Sequence, residues 1–295
     1  WPRTEVRRPL RHVRYQEVIM RKANPSGFAV LLKKAPLVGA FFMALSWHLP
    51  AQAFCPLPQR PQQVAVRYVV DGDTVRLVDG RSVRMIGINA PEIGRKGQAS
   101  EPYAEAARRR LQALVKASDG RLGLVPGVEK KDRYGRTLAH LYSRTGNNLE
   151  AQLLSEGLGY RIAFAPNVRL NTCQQRAEQV ARKAGAGLWK TSPVVSARAL
   201  RQPGFAVVSG RIKAVQRHRG GIWLNLDDAV TLQVPARLQR TVPASFFDNL
   251  KGQRVEARGW VRDRSRKSSG RPGPRRWFMQ LTDPSMLGRV GGQKM

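Results

Sequence analysis

The sequence predicts an α+β domain followed by a second, mainly β domain whose elements follow the order of an OB-type barrel. Three observations lead there. Between residues 64 and 142, apolar alternation of period two is bounded by Gly, Asp and Pro and interrupted once by helical spacing. Between 149 and 184 two helical patterns each run into a glycine. Beyond 205 the alternation returns in five short runs, with one helical stretch between the third and fourth, which is the OB order. A length of 295 residues allows two domains, and 42% hydrophobic residues suffice for two ordinary cores.

Taken in order, residues 1–19 are arginine-rich without an apolar pattern and are set aside as upstream sequence. From Met20 the chain reads as a secretory signal that ends at Ala53. Arg21, Lys22, Lys33 and Lys34 are its charged region, 35–49 its apolar region, and Ala51-Gln52-Ala53 its cleavage site. A membrane anchor is the competing reading, but Ser46 and His48 interrupt the run, which is shorter than the roughly 20 residues a span needs. The mature chain is therefore expected to be exported, periplasmic or secreted, without stable membrane insertion and as a monomer. Cys55 and Cys173 both survive the cleavage, and an oxidising compartment favours a bridge between them if their Cα atoms come within reach.

The first domain is expected over 54–190. Strands are predicted at 64–77, 83–88, 122–125 and 137–142. A helix is predicted over 101–115, capped by Ser100, with Glu101 and Glu105 near its positive end and Lys116 near its negative end. Ala104, Ala107, Leu111, Leu114 and Val115 would form its buried stripe. Further helices are predicted at 149–156 and 172–184, ending at Gly157 and Gly185, with Trp189 as a core plug. A linker over 191–204, marked by Ser192, Pro193 and Pro203, precedes the second domain, 205–289, and a short tail, 290–295. Strands are predicted there at 205–215, 221–226, 230–234, 253–261 and 277–281, with a helix at 243–250.

A formal charge of +32 calls for a polyanionic partner, and charge alone does not choose between DNA or RNA and an anionic lipid or cell-wall surface. OB-type barrels often bind single strands through basic and aromatic groups. The loop 262–276 is therefore the candidate nucleic-acid loop of the second domain, with Arg262, Arg264, Arg266, Lys267, Arg271, Arg275, Arg276 and Trp277 as its contacts.

The chemistry is expected in the first domain, at Asp71-Gly72-Asp73-Thr74 and at Arg84 to Glu92. Asp-Gly-Asp is also a common turn, and Ala-Pro-Glu often just ends a strand. On a strand, however, Asp71 and Asp73 would share one face, and their carboxylates, the Asn89 amide and the Ala90 carbonyl are hard oxygen donors suited to Ca²⁺ or another divalent cation. Arg84 adds a guanidinium able to grip phosphate, and a third turn, Asp132-Arg133-Tyr134-Gly135-Arg136, leads into another alternating strand.

These three segments, in this order and spacing, resemble the thermonuclease family, whose best-known member is staphylococcal nuclease. The resemblance covers about 64–189. It implies a five-stranded OB-type barrel with three helices and a metal-dependent phosphodiesterase, a nuclease giving 3′-phosphorylated products from DNA or RNA. It further implies Asp73 as a Ca²⁺ ligand supported by Asp71 and Thr74, with Arg84, Glu92 and Arg136 catalytic. Arg133, Tyr134 and Phe164 would lie beside the substrate. Two positions depart from the pattern. Asn89 stands where the family usually has a second metal-ligating aspartate, and the stacking tyrosine expected shortly before Pro166 is replaced around Ile162 and Phe164. The rival is a single-strand-binding protein of the same fold without catalysis. Retention of Asp73, Arg84, Glu92 and Arg136 together speaks against it, since an acid kept among phosphate-binding arginines repels the ligand.

Overall fold

The alternating runs on either side of the acidic triplet form two strands, not the single strand expected over 64–77. In a computed structural model, which describes residues 55–57, 61–95, 97–265 and 276–290, they are β1 (Gln62–Val69) and β2 (Thr74–Leu77), antiparallel through Val69 and Val75. The triplet closes the hairpin. Val70 N donates to Thr74 O at 2.9 Å and Asp73 N to Asp71 Oδ1 at 3.1 Å, a turn for which Asp and Gly are suited. All described residues belong to the unit Ala51–Met295, and the segment read as upstream sequence and signal lies outside them. Among the described residues no helix is long and apolar enough to cross a membrane.

The chain continues through β3 (Ser82–Met85), β4 (Ile88–Asn89), α1 (Ala104–Ala117), β5 (Arg121–Lys131) and β6 (Thr137–Tyr142). The order β1-β2-β3-β6-β5 closes into a barrel in which β3 and β6 run parallel, so the expected five-stranded OB-type barrel is present. Val75, Leu77, Val83, Met85, Leu122, Leu124 and Leu141 fill it, the inward half of each alternation. Helix α1 buries the expected stripe but starts three residues late. Glu101 precedes Pro102, whose ring disfavours helical backbone at the residue before it. Ser100 consequently caps nothing, and its Oγ accepts Gly94 N at 3.1 Å.

Then follow α2 (Leu149–Ser155), capped by Asn148 Oδ1, which accepts Ala151 N at 2.9 Å; β7 (Tyr160–Arg161), antiparallel to β4; and α3 (Asn171–Ala184), ended by Gly185 at φ 59°. Cys55 and Cys173 form a disulfide, with Cα atoms 5.4 Å apart, that ties the segment before β1 to the first turn of α3. It closes 118 residues of chain, for which the entropic account gives a stabilisation of about 4–5 kcal/mol. Oxidised protein is thus expected to show no titratable thiol after denaturation and a lower melting temperature once reduced. Two free thiols in the oxidised sample would sink the bridge.

The expected linker is docked. Residues 194–196 form β8 (Val194–Ser196), parallel to β9 (Gly204–His218), and Ala197 and Leu200 are buried in the second core. The chain goes on through β10 (Gly221–Leu226), β11 (Val230–Pro235), short helices α4 (Ala236–Gln239) and α5 (Ala244–Asp248), β12 (Arg254–Asp263), β13 (Trp277–Gln280) and β14 (Leu287–Arg289). The order β9-β10-β11-β13-β12 returns to β9 and closes a second barrel of the same strand order, again with its third and fifth strands parallel. Strands β8 and β14 extend it at the edges.

The barrels share a buried contact. Ile162 and Ala163, just past β7, lie in the second core. Arg258 of β12 reaches back to Glu178 of α3, Nη1 to Oε1 at 2.7 Å and to Oε2 at 2.9 Å, and its Nη2 holds Glu256 Oε1 at 2.8 Å. Arg182 grips Glu256 through both Nη atoms and lies 3.9 Å over the Trp189 ring. The core plug read at Trp189 is in place, 9% exposed.

Candidate active site

Hairpin β1–β2, strand β3 and the end of β4 bring the acids and one arginine together. A Cβ on Gly72 would lie 2.6 Å from the Cβ atoms of both Ala107 and Ala90, so only glycine lets the turn seat between α1 and the chain after β4. Asp73 is thereby buried, 5% exposed. Its Oδ2 accepts Ala90 N at 2.8 Å and pairs with Arg84 Nη2 at 2.9 Å, and its Oδ1 accepts Thr74 Oγ1 at 3.0 Å. Burial pushes the Asp73 carboxyl up to about 7, against the pull of Arg84 and with the push of Asp71. Asp71 faces this cluster from the turn, not from a strand face as the alternation implied.

Arg84 is turned inward. Both hydrogens of Nη1 go to carbonyl oxygens, Met85 O and Ile88 O, each at 2.8 Å, while Nη2 meets Asp73 and, at 3.4 Å, Asn89 Oδ1. The bidentate phosphate grip expected of it is therefore occupied by the protein itself, and Arg84 acts as a brace for the acids. Arg136 is the opposite case. Its Nε donates to Asp132 Oδ2 at 2.7 Å, which leaves the Nη pair facing outward on a side chain 32% exposed. Asp132 builds that turn, its Oδ1 accepting both Tyr134 N and Arg136 N at 2.9 Å. Tyr134 is exposed with Arg133 4.7 Å and Arg136 5.6 Å from its ring, and Arg133 Nη2 donates to its hydroxyl at 2.6 Å.

Glu92 stands at the edge of the acid cluster with its backbone locked. Its N donates to Glu101 Oε2 and its O accepts Glu101 N, each at 2.9 Å. Burial and the nearby Asp71 raise its carboxyl above the usual range, with Arg84 opposing. By sequence Glu101 is only a helix-terminal acid, and no local signal shows that it would hold Glu92 ahead of Pro102. A cleft of about 400 Å³ opens beside Asn89 and Glu101, lined also by Tyr103, Tyr160 and Phe205.

Other expected residues stand elsewhere. Ile162 is a core residue, and Phe164, 44% exposed, packs against Trp260 at 5.6 Å, so the first cannot stack a base and the second is already partnered. Trp277, expected at the surface of the basic loop, is 5% exposed because it pairs with Val230 inside the second barrel. Arg276 pairs with Asp263, and Arg262 is exposed on β12. Arg266, Lys267, Arg271 and Arg275 lie outside the described residues.

Among the described residues no three His, Cys, Asp or Glu side chains stand together as a metal cage. The donors that do converge are oxygens, the Asp71 and Asp73 carboxylates with the Asn89 amide, and a divalent cation would relieve the repulsion that Asp71 exerts on Asp73. The set fits an oxygen-preferring cation such as Ca²⁺.

The barrel thus carries acids tied to an arginine at a hairpin turn, and a second arginine, partly exposed, at the turn before β6. Residues 82–191 match the family described as staphylococcal nuclease homologue. The chain is 30% identical over 135 residues to a thermonuclease of Staphylococcus intermedius, which takes in 44% of this chain and 78% of that one. It is 31% identical over 140 residues to the endonuclease YncB of Bacillus subtilis, and equally to the SPbeta prophage-derived endonuclease YokF of the same organism. The chain belongs to the staphylococcal nuclease homologue family. The aligned stretch covers 46% of this chain and only 65% and 46% of the two Bacillus proteins, and the family match ends at residue 191, before β9.

Proposed function

We propose that the chain is an exported, Ca²⁺-dependent nuclease that hydrolyses phosphodiester bonds of DNA or RNA to 3′-phosphorylated products. The observation that carries this is the convergence of Asp71, Asp73, Asn89 and Arg84 beside Glu92, whose carboxyl is raised and whose backbone is locked. Thermonuclease and endonuclease are the names of its relatives. Asp71, Asp73, Asn89 and the Ala90 carbonyl would hold the cation, and when bound it supplies charge neutralisation and orientation of the phosphate. Glu92 takes the proton of the attacking water, for which a raised carboxyl pKa is suited. Arg136 donates its free Nη pair to the phosphate oxygens as charge grows on them, and Arg84 holds Asp73 in place. Arg133 and Tyr134, exposed at the Asp132 turn, border the substrate, while the buried Thr74 steadies Asp73. Export is supported by the signal pattern over 20–53 and by the Cys55–Cys173 bridge.

A second reading, binding without cleavage, is favoured by Asn89 and by the inward Arg84. Incubating the purified mature chain with plasmid and with single-stranded DNA, with Ca²⁺ or with chelator, separates the two. Digestion that needs the cation supports the nuclease, and a mobility shift without digestion sinks it.

Asn89 offers the cation an amide oxygen but no charge, and fewer charged ligands mean weaker calcium binding. Substrate phosphate brings negative charge of its own, so cation and substrate are expected to strengthen each other's binding. Asn89→Asp is expected to lower the Ca²⁺ concentration that gives half-maximal cleavage, with a smaller effect at saturating Ca²⁺. A variant that needs as much Ca²⁺ as the parent removes Asn89 from the cation's ligands.

A further inference from the structure

The second barrel carries an outward face that the chemistry of the first leaves unused. Across its strands Trp223 pairs with Gln216 and Gln233, and in the next row Phe278 pairs with Thr231 and Arg262. The residues alternating with them, Leu224, Leu232 and Met279, fill the barrel, so this row points away from its interior, with Trp223 half-buried and Phe278 only 6% exposed. The Trp223 and Phe278 rings meet at 5.8 Å, and the His218 ring stands 6.5 Å from Trp223.

Over these rings lies Arg264, its guanidinium carbon 3.6 Å from the Phe278 centroid and 5.4 Å from that of Trp223. It has no acidic partner among the described residues, whereas its neighbour Arg276 is held by Asp263 and Arg217 by Asp248. Partial burial and the charge of Arg262 both press the Arg264 pKa down. Trp223 Nε1 is buried without a hydrogen-bond partner, as is Trp189 Nε1 elsewhere in the chain.

A guanidinium lying flat on a surface ring can be mere packing, since arginine stacks well on aromatics. Packing alone does not account for the missing anion, which a ligand bringing a flat ring and a phosphate within one repeat would supply. The geometry points to this face as a second binding site, for single-stranded nucleic acid, in which Arg264 swings off the rings to a phosphate and a base takes its place against Trp223 and Phe278. A duplex keeps its bases stacked on one another and offers no free ring, whereas single strands are held by such aromatic platforms beside cations. The face is formed by the second and third strands of the barrel, the side on which OB folds take oligonucleotides. The charge of +32 draws the polyanion in.

The test uses the whole mature chain in chelator, so that binding is read without cleavage and independently of the nuclease proposal. Anisotropy of a short labelled oligothymidylate is followed across a salt series for the parent, Trp223→Ala, Trp223→Phe and Arg264→Ala, with a duplex of equal length as comparison. Trp223→Ala is expected to weaken single-strand binding by roughly five- to a hundred-fold, the range for one stacked base. Arg264→Ala should reduce the salt slope by about 0.7, one phosphate contact on a single strand. Duplex binding should change less. Arg264 is exposed, so its variant folds, and with Trp223→Phe it carries the test if Trp223→Ala does not fold. Unchanged single-strand affinity and slope in Arg264→Ala overturn the site. So does an equal loss for single strand and duplex.

Discussion

Glu92→Gln is expected to lower turnover on DNA by on the order of 10² to 10⁴ while the protein melts as the parent does. Glutamine keeps the size of the side chain, and the backbone bonds to Glu101 do not involve it, so the fold has no reason to change. What is lost is the group placed to accept a proton, a carboxyl raised by burial and by Asp71. Single-turnover digestion at saturating Ca²⁺ measures the step itself, and near-parental rates would remove Glu92 from the chemistry. Arg136→Lys is a sharper companion, because an ammonium cannot hold Asp132 through Nε and still present a planar pair to phosphate.

The second large effect is on stability. Arg258→Ala is expected to destabilise the protein by about 3–5 kcal/mol, since it leaves Glu178, 3% exposed, beside Glu256 with one cation fewer. Denaturant unfolding gives the number, and a loss below about 1 kcal/mol would mean that water or Arg182 takes over. The same network sets an acid limit. Burial works against Glu256, yet hydrogen bonds from Arg182 and the charge of Arg258 hold its carboxyl at about 2, below its ordinary 4.5. Its contribution is thus complete above pH 4.5 and lost as pH falls toward 2. The parent should lose stability across that window and Glu256→Gln should lose less of it. Parallel pH curves for the two would rule the coupling out.

Much of this architecture is local and so was legible. Alternation locates β6, β10 and β11 almost to the residue, and Gly185 ends α3 because it alone enters the left-handed region without strain. The acids and their arginine were legible as residues but not as an arrangement. Whether 64–77 is one strand or a hairpin depends on Thr74 O accepting Val70 N, and periodicity is blind to that bond. Arg84 looks like a phosphate ligand until Met85 O and Ile88 O are seen to claim it. The least legible residues are Glu178 and Arg182. Their four-residue spacing is that of a solvated helix pair, and only the arrival of β12, some 80 residues later, buries Glu178 and draws Arg182 to Glu256.

Because Ile162 and Ala163 belong to the core of the second barrel and Arg258 reaches back to α3, the covalent joint between the barrels is not where the molecule can be divided. A proteolytic nick between Thr191 and Gly204 would leave fragments that still travel as one particle at neutral pH. A gene fragment ending at Trp189 would expose Ile162 and Ala163 and strand Glu178 without Arg258, so it would encode a damaged module rather than a minimal one. Recombination could exchange the pair of barrels intact, but the first could be grafted alone only with new residues to cover what the second now covers.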